Sequence, residues 1–122
     1  MKYNEEELSP TISKSTLIHA LTGMDPEHMA HFMNAPRVSG FNAAKSMLLK
    51  MVEQCDDEID REKFDDELTT ILMQKGVPGL SSGHETDMYF WTVTDFSAFV
   101  VSYPNHVPRS MEHIYPELLN RE

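Results

Sequence analysis

The eight residues Gly76-Val77-Pro78-Gly79-Leu80-Ser81-Ser82-Gly83 divide this chain in two. Three glycines and a proline in so short a span predict a loop. Upstream, apolar residues recur at spacings of three and four. Downstream, they run together and are aromatic or β-branched. The sequence therefore reads as α+β: about four N-terminal helices, a two-stranded antiparallel hairpin over about 88–103, and a short C-terminal helix.

Capping chemistry sets the upstream boundaries. Ser13 or Ser15 is placed to cap a first helix carrying Ile12, Leu17, Ile18 and Leu21, with Gly23 as its stop. Asp25-Pro26-Glu27 opens a second, which Pro36 keeps short by disfavouring helix at Ala35. Ser39 caps a third, with Phe41, Ala44, Leu48, Met51, Val52 and Cys55 on one face. A fourth begins near Asp57 or Asp60. It carries Ile59, Phe64, Leu68, Ile71 and Leu72, and ends at Lys75 before Gly76 and Pro78.

In the downstream half, Met88–Thr94 and Ala98–Tyr103 read as two strands turning near Thr94-Asp95-Phe96. Asp95 is also able to cap a short helix there. Ser110 caps the last helix, through Leu118, with Pro116 as a kink. A hairpin alone is marginal, so this one must pack on the helices or pair its edge with another copy, giving a homodimer. At 122 residues the expectation is one globular domain over 1–122, with 1–10 a flexible polar arm.

Charge carries the functional reading. Nine of the fifteen residues from 53 to 67 are acidic: Glu53, Asp56, Asp57, Glu58, Asp60, Glu62, Asp65, Asp66 and Glu67. Only Arg61 and Lys63 oppose them, a local charge of −7 within a total of −10. Such a patch repels nucleic acid and anionic membrane and attracts basic protein surfaces. Read as helix, its like-charge pairs at i,i+4 (Glu53/Asp57, Asp56/Asp60, Glu58/Glu62, Glu62/Asp66) nearly balance the opposite pairs Asp57/Arg61, Arg61/Asp65 and Lys63/Glu67. Strain therefore does not mark the patch as functional, and a solvated face is the competing reading. The charge outside it is only −3, which disfavours a chain-wide nucleic-acid mimic.

Other chemistry is sparse. Cys55 is the only cysteine, which excludes an internal disulfide and a cysteine-based zinc site. His28 and His31 share a helix face at i,i+3, but a third metal ligand is lacking unless His19, Asp25 or Glu27 folds beside them. Gly79-Leu80-Ser81-Ser82-Gly83 matches the nucleophile-elbow pattern. Its context is wrong, because a helix enters and a strand is expected to leave. The nine methionines and the Tyr89-Phe90-Trp91 run read as core.

The expectation is a cytoplasmic, non-enzymatic binding protein of the inhibitor, immunity or adaptor type, needing no cofactor. Segment 53–67 docks a basic protein surface, such as that of a nucleic-acid-handling protein, and contacts neither nucleic acid nor membrane. The alternative is a small enzyme or metal-binding protein using His28 and His31 with nearby carboxylates.

Overall fold

The computed structural model describes residues 9–24, 35–74 and 83–108. It is mostly helical with a two-stranded antiparallel sheet, an α+β arrangement. In chain order the elements are β1 (Thr11–Ser13), α1 (Lys14–Gly23), α2 (Ala35–Glu53), β2 (Glu58–Asp60), α3 (Arg61–Met73) and α4 (Gly83–Ser102). The expected second helix after Asp25 and the closing helix after Ser110 lie outside the described residues, as does most of the expected arm, residues 1–8.

The capped starts follow local chemistry. Ser13 is the N-cap of α1, its hydroxyl accepting the Thr16 N–H at 3.2 Å. Asp60 caps α3 by accepting the Lys63 N–H at 2.9 Å. Helix α2 begins earlier than expected, at Ala35 instead of after Ser39. Pro36 therefore lies in the first turn, where its missing N–H leaves no hydrogen bond unmade. The α2 face is the one the spacing indicates: Phe41, Ala44, Leu48 and Val52 are fully buried.

The hairpin over 88–103 is not formed. Residues 83–102 are one helix, α4, and its buried residues show why. Met88/Tyr89, Thr92/Val93, Asp95/Phe96 and Phe99/Val100 recur every three to four positions, a helical stripe. Phe90, Trp91 and Ala98, on its flanks, are half-buried. A helix covered on several sides reads as continuously apolar, and the β-branched residues then imitate strands. Packing decides the outcome, because α4 lies against both α2 and α3. The two backbones come close at Gly40, beside Glu85. Without a hairpin at 88–103, the homodimer through a hairpin edge loses its basis.

The actual sheet is elsewhere. β1 pairs with β2 antiparallel, with Thr11 opposite Asp60, Ile12 opposite Ile59 and Ser13 opposite Glu58. Ile12 and Ile59 both turn into the core, which corrects their expected places on the first and fourth helices. Their neighbours Glu58 and Asp60 stay exposed. Each strand is thus apolar at one position, the alternation of a half-buried ribbon.

Phe64 of α3 meets Phe96 of α4 edge-on at 6.5 Å between ring centroids, and Phe96 stacks on Phe99 at 6.0 Å. Two cations brace the ends of this assembly. Lys14 donates its ammonium to the carbonyls of Glu53 and Cys55, both at 3.0 Å, where α2 finishes. Arg61 donates Nη1–H to the Val100 carbonyl at 2.6 Å and Nε–H to the Ser9 carbonyl at 2.7 Å. Carbonyls in the last turn of a helix lack intrahelical donors, so at Glu53 and Val100 these side chains satisfy groups the helices leave open. Among the described residues no helix is long and apolar enough to cross a membrane.

Candidate functional site

The nine carboxylates of 53–67 do not lie along one helix. Glu53 ends α2, Asp56 and Asp57 form the connection, Glu58 and Asp60 belong to β2, and the other four lie on α3. The expected helical pairs before residue 61 therefore do not exist. Within α3 the pairs are Glu62/Asp66, Arg61/Asp65 and Lys63/Glu67. The patch wraps around a helix–strand–helix corner, and the density of charge comes from that turn.

Eight of the nine carboxylates are exposed. Asp65 is half-buried and accepts a hydrogen bond from the Ser97 hydroxyl of α4, so it joins α3 to α4. Two of the exposed ones also have local work. Glu58 accepts the Thr11 hydroxyl at 2.6 Å across the sheet, and Asp60 caps α3. Glu53, Asp56, Asp57, Glu62, Asp66 and Glu67 are exposed.

The opposing cations matter as much. Arg61 is drawn onto the Ser9 and Val100 carbonyls. Lys14 is drawn onto the carbonyls that close α2. Lys63 is exposed and stays among the carboxylates. Arg61 and Lys14 thus serve as backbone ligands: Arg61 is turned onto carbonyls outside 53–67, while Lys14 brings one positive charge to the border of the patch.

An open recess of about 300 Å³ lies within the patch, lined by Cys55, Asp56, Glu58, Asp60, Lys63, Phe64 and neighbours. Cys55 is half-buried, and its thiol donates to the Met51 carbonyl at 3.2 Å. Burial first, then the charges of Glu67 and Asp56, push its pKa up, while Lys14 and Lys63 act in the opposite sense. A thiol held protonated is a poor nucleophile, so the recess carries no activated cysteine.

The histidine pair His28/His31, with Asp25 and Glu27, lies outside the described residues. His19 is exposed on α1. Among the described residues no group of three or more His, Cys, Asp or Glu side chains is arranged to hold a metal ion. Ser81 of the elbow-like motif also lies outside them. Gly83 and His84 begin α4, so a helix and not the expected strand leaves that segment. The entering element remains a helix, α3, whereas an elbow needs a strand.

One polar pair carries no sequence signal. Asp95 is 5% exposed on α4 and is hydrogen-bonded to Nε2 of His106 at 2.9 Å. The two are eleven residues apart across a helix end, a spacing that matches no periodic pattern. Comparison of the chain with protein-family models, curated proteins and solved structures finds no match.

Proposed function

We propose that this protein is a non-enzymatic binding module that docks a basic protein surface through 53–67. Its role is of the inhibitor, immunity or adaptor type. One observation supports this reading above others. Eight carboxylates stand exposed around a single corner while Arg61, one of the two cations within 53–67, is turned onto backbone carbonyls and leaves Lys63 alone among them. A dense field of one sign raises the local concentration of oppositely charged partners and speeds association at low ionic strength. A nucleic-acid-handling protein is the partner class with the matching basic surface.

The test is capture from lysate at low and at high salt. The wild type runs beside a variant with Glu53, Glu62 and Glu67 changed to Gln and Asp56, Asp57 and Asp66 to Asn. These six leave the α3 cap, the Thr11 contact and the Ser97 contact in place. Basic proteins are expected on the wild type only, lost as the screening length shrinks from about 10 Å at 0.1 M to about 3 Å at 1 M salt. Identical sets of captured proteins would reduce the patch to a solubilising face.

A further inference from the structure

The sheet has an outer edge beside the carboxylates, and its register identifies the backbone groups on that edge. Lys14 N–H donates to the Asp57 carbonyl at 2.8 Å, and Arg61 N–H donates to the Pro10 carbonyl at 3.0 Å. These bonds bracket the ladder and mark Lys14–Asp57 and Pro10–Arg61 as hydrogen-bonded pairs. Bonded and non-bonded pairs alternate in an antiparallel ladder. With Ile12 opposite Ile59 as the central bonded pair, Thr11–Asp60 and Ser13–Glu58 are the non-bonded ones. The Glu58 N–H and C=O and the Asp60 N–H therefore point away from β1. Both residues are exposed, and both line the recess.

We propose that an extended basic segment of a protein partner adds to β2 here as a third strand, an inference that rests on the docking role above. Exposed edge groups are a template for another chain, and charged side chains decide which chain is admitted. Glu58 and Asp60 are two residues apart and so share one face of the strand. A second copy would set carboxylate against carboxylate. A partner with basic residues two apart sets cations against both. Glu58 and Asp60 each use one carboxylate oxygen within the chain, on Thr11 and on the Lys63 N–H, and the other oxygen remains to meet such a cation. The partner residue between the two cations falls on the Ile59 side of the strand, where an apolar side chain fits. The motif is basic–apolar–basic.

Acetyl-Lys-Val-Lys-Val-Lys-amide is the probe, titrated into the ¹⁵N-labelled full chain. Glu58→Pro removes the outward N–H without touching the ladder, and Glu58→Gln removes the same charge while keeping that N–H. The peptide is expected to shift and protect the Glu58 and Asp60 amides. It should bind the Glu58→Pro protein about tenfold more weakly than the Glu58→Gln protein, as expected for one lost backbone hydrogen bond. Should the proline variant not fold, backbone N-methylation of the peptide removes the reciprocal bond, from peptide N–H to the outward Glu58 carbonyl, and is expected to weaken binding to a similar extent. Equal affinity for both variants and both peptides, or no binding of the probe, overturns the third strand. The docking role is judged separately, since it fails only if salt-sensitive capture of basic proteins is also missing.

Discussion

Gly40 of α2 and Glu85 of α4 bring two helix backbones into contact: a Cβ at Gly40 would lie 2.0 Å from the Glu85 carbonyl oxygen. The obstacle is main chain, which cannot rotate aside as a side chain does. Intrinsic propensity favours Ala over Gly in a helix by about 1 kcal/mol. Overpacking here opposes it and is larger. Gly40→Ala is expected to lower stability by about 1–3 kcal/mol in urea unfolding. A more stable variant would mean that the helices pass farther apart.

The replacement of the hairpin by α4 is open to direct test at Thr94, an exposed position in the middle of the helix. In a turn near 94–96, proline is well tolerated. Inside α4 it removes an i→i−4 bond and clashes with the preceding turn, at a loss of about 3 kcal/mol or more. Thr94→Pro is therefore expected to unfold the protein or nearly so, followed by circular dichroism during thermal melting. A variant that melts like the wild type would restore the strands.

Arg61→Ala separates structure from docking. The side chain's hydrogen bonds to Val100 and Ser9 are lost, and two carbonyls lose a charged donor. Bonds of this kind contribute about 1.5–3 kcal/mol each when buried, and the half-buried setting places the expected loss near 2–3 kcal/mol in total. The same change takes the charge of 53–67 from −7 to −8. Stability should fall while low-salt capture of basic partners holds or strengthens. Capture that weakens in a variant shown to be folded would assign Arg61 to the interface.

Alkaline pH should destabilise the fold. Burial, and then Glu67 and Asp56, raise the Cys55 pKa, and burial raises that of Tyr89. For a group whose folded pKa lies above its unfolded value, stability is full below the unfolded pKa and is lost as pH climbs through the folded one. The decline should therefore begin above about pH 8.5, the ordinary thiol value, with tyrosine adding to it above about pH 10. Cys55→Ala is expected to remove the first part of the slope in urea melts from pH 7 to 10. At pH 8, iodoacetamide should modify native Cys55 more slowly than the thiol in urea. Equal rates would mean that the thiol is not protected.

Much of the helical scaffold was legible because its signals are local. Ser13 and Asp60 cap through their own side chains, and the Phe41–Val52 spacing describes one face wherever that helix starts. What escaped depends on distant partners. Ile12 and Ile59 are forty-seven residues apart, and three-residue strands contain too little alternation to announce themselves. The run from Met88 to Tyr103 imitates strands because burial by α2 and α3 makes most sides of a helix apolar, and only the finished packing distinguishes that from paired strands. The acidic composition of 53–67 was plain, but its shape was not. Whether nine carboxylates line a rod or ring a corner turns on where Asp60 ends a strand and starts a helix. Likewise, nothing local to Arg61 foretells that its guanidinium faces the last turn of α4.

Lys14, Arg61 and Asp65 tie the acidic corner to α1, α4 and the ribbon. The carboxylates therefore stand on a backbone whose conformational entropy was already lost when the chain folded. In the docking role proposed above, an incoming basic segment bears nearly all of the ordering cost itself. Complexes of this protein with different partners should thus differ mainly in dissociation rate, according to how easily each partner's segment straightens, and the acidic corner should keep the same shape in all of them.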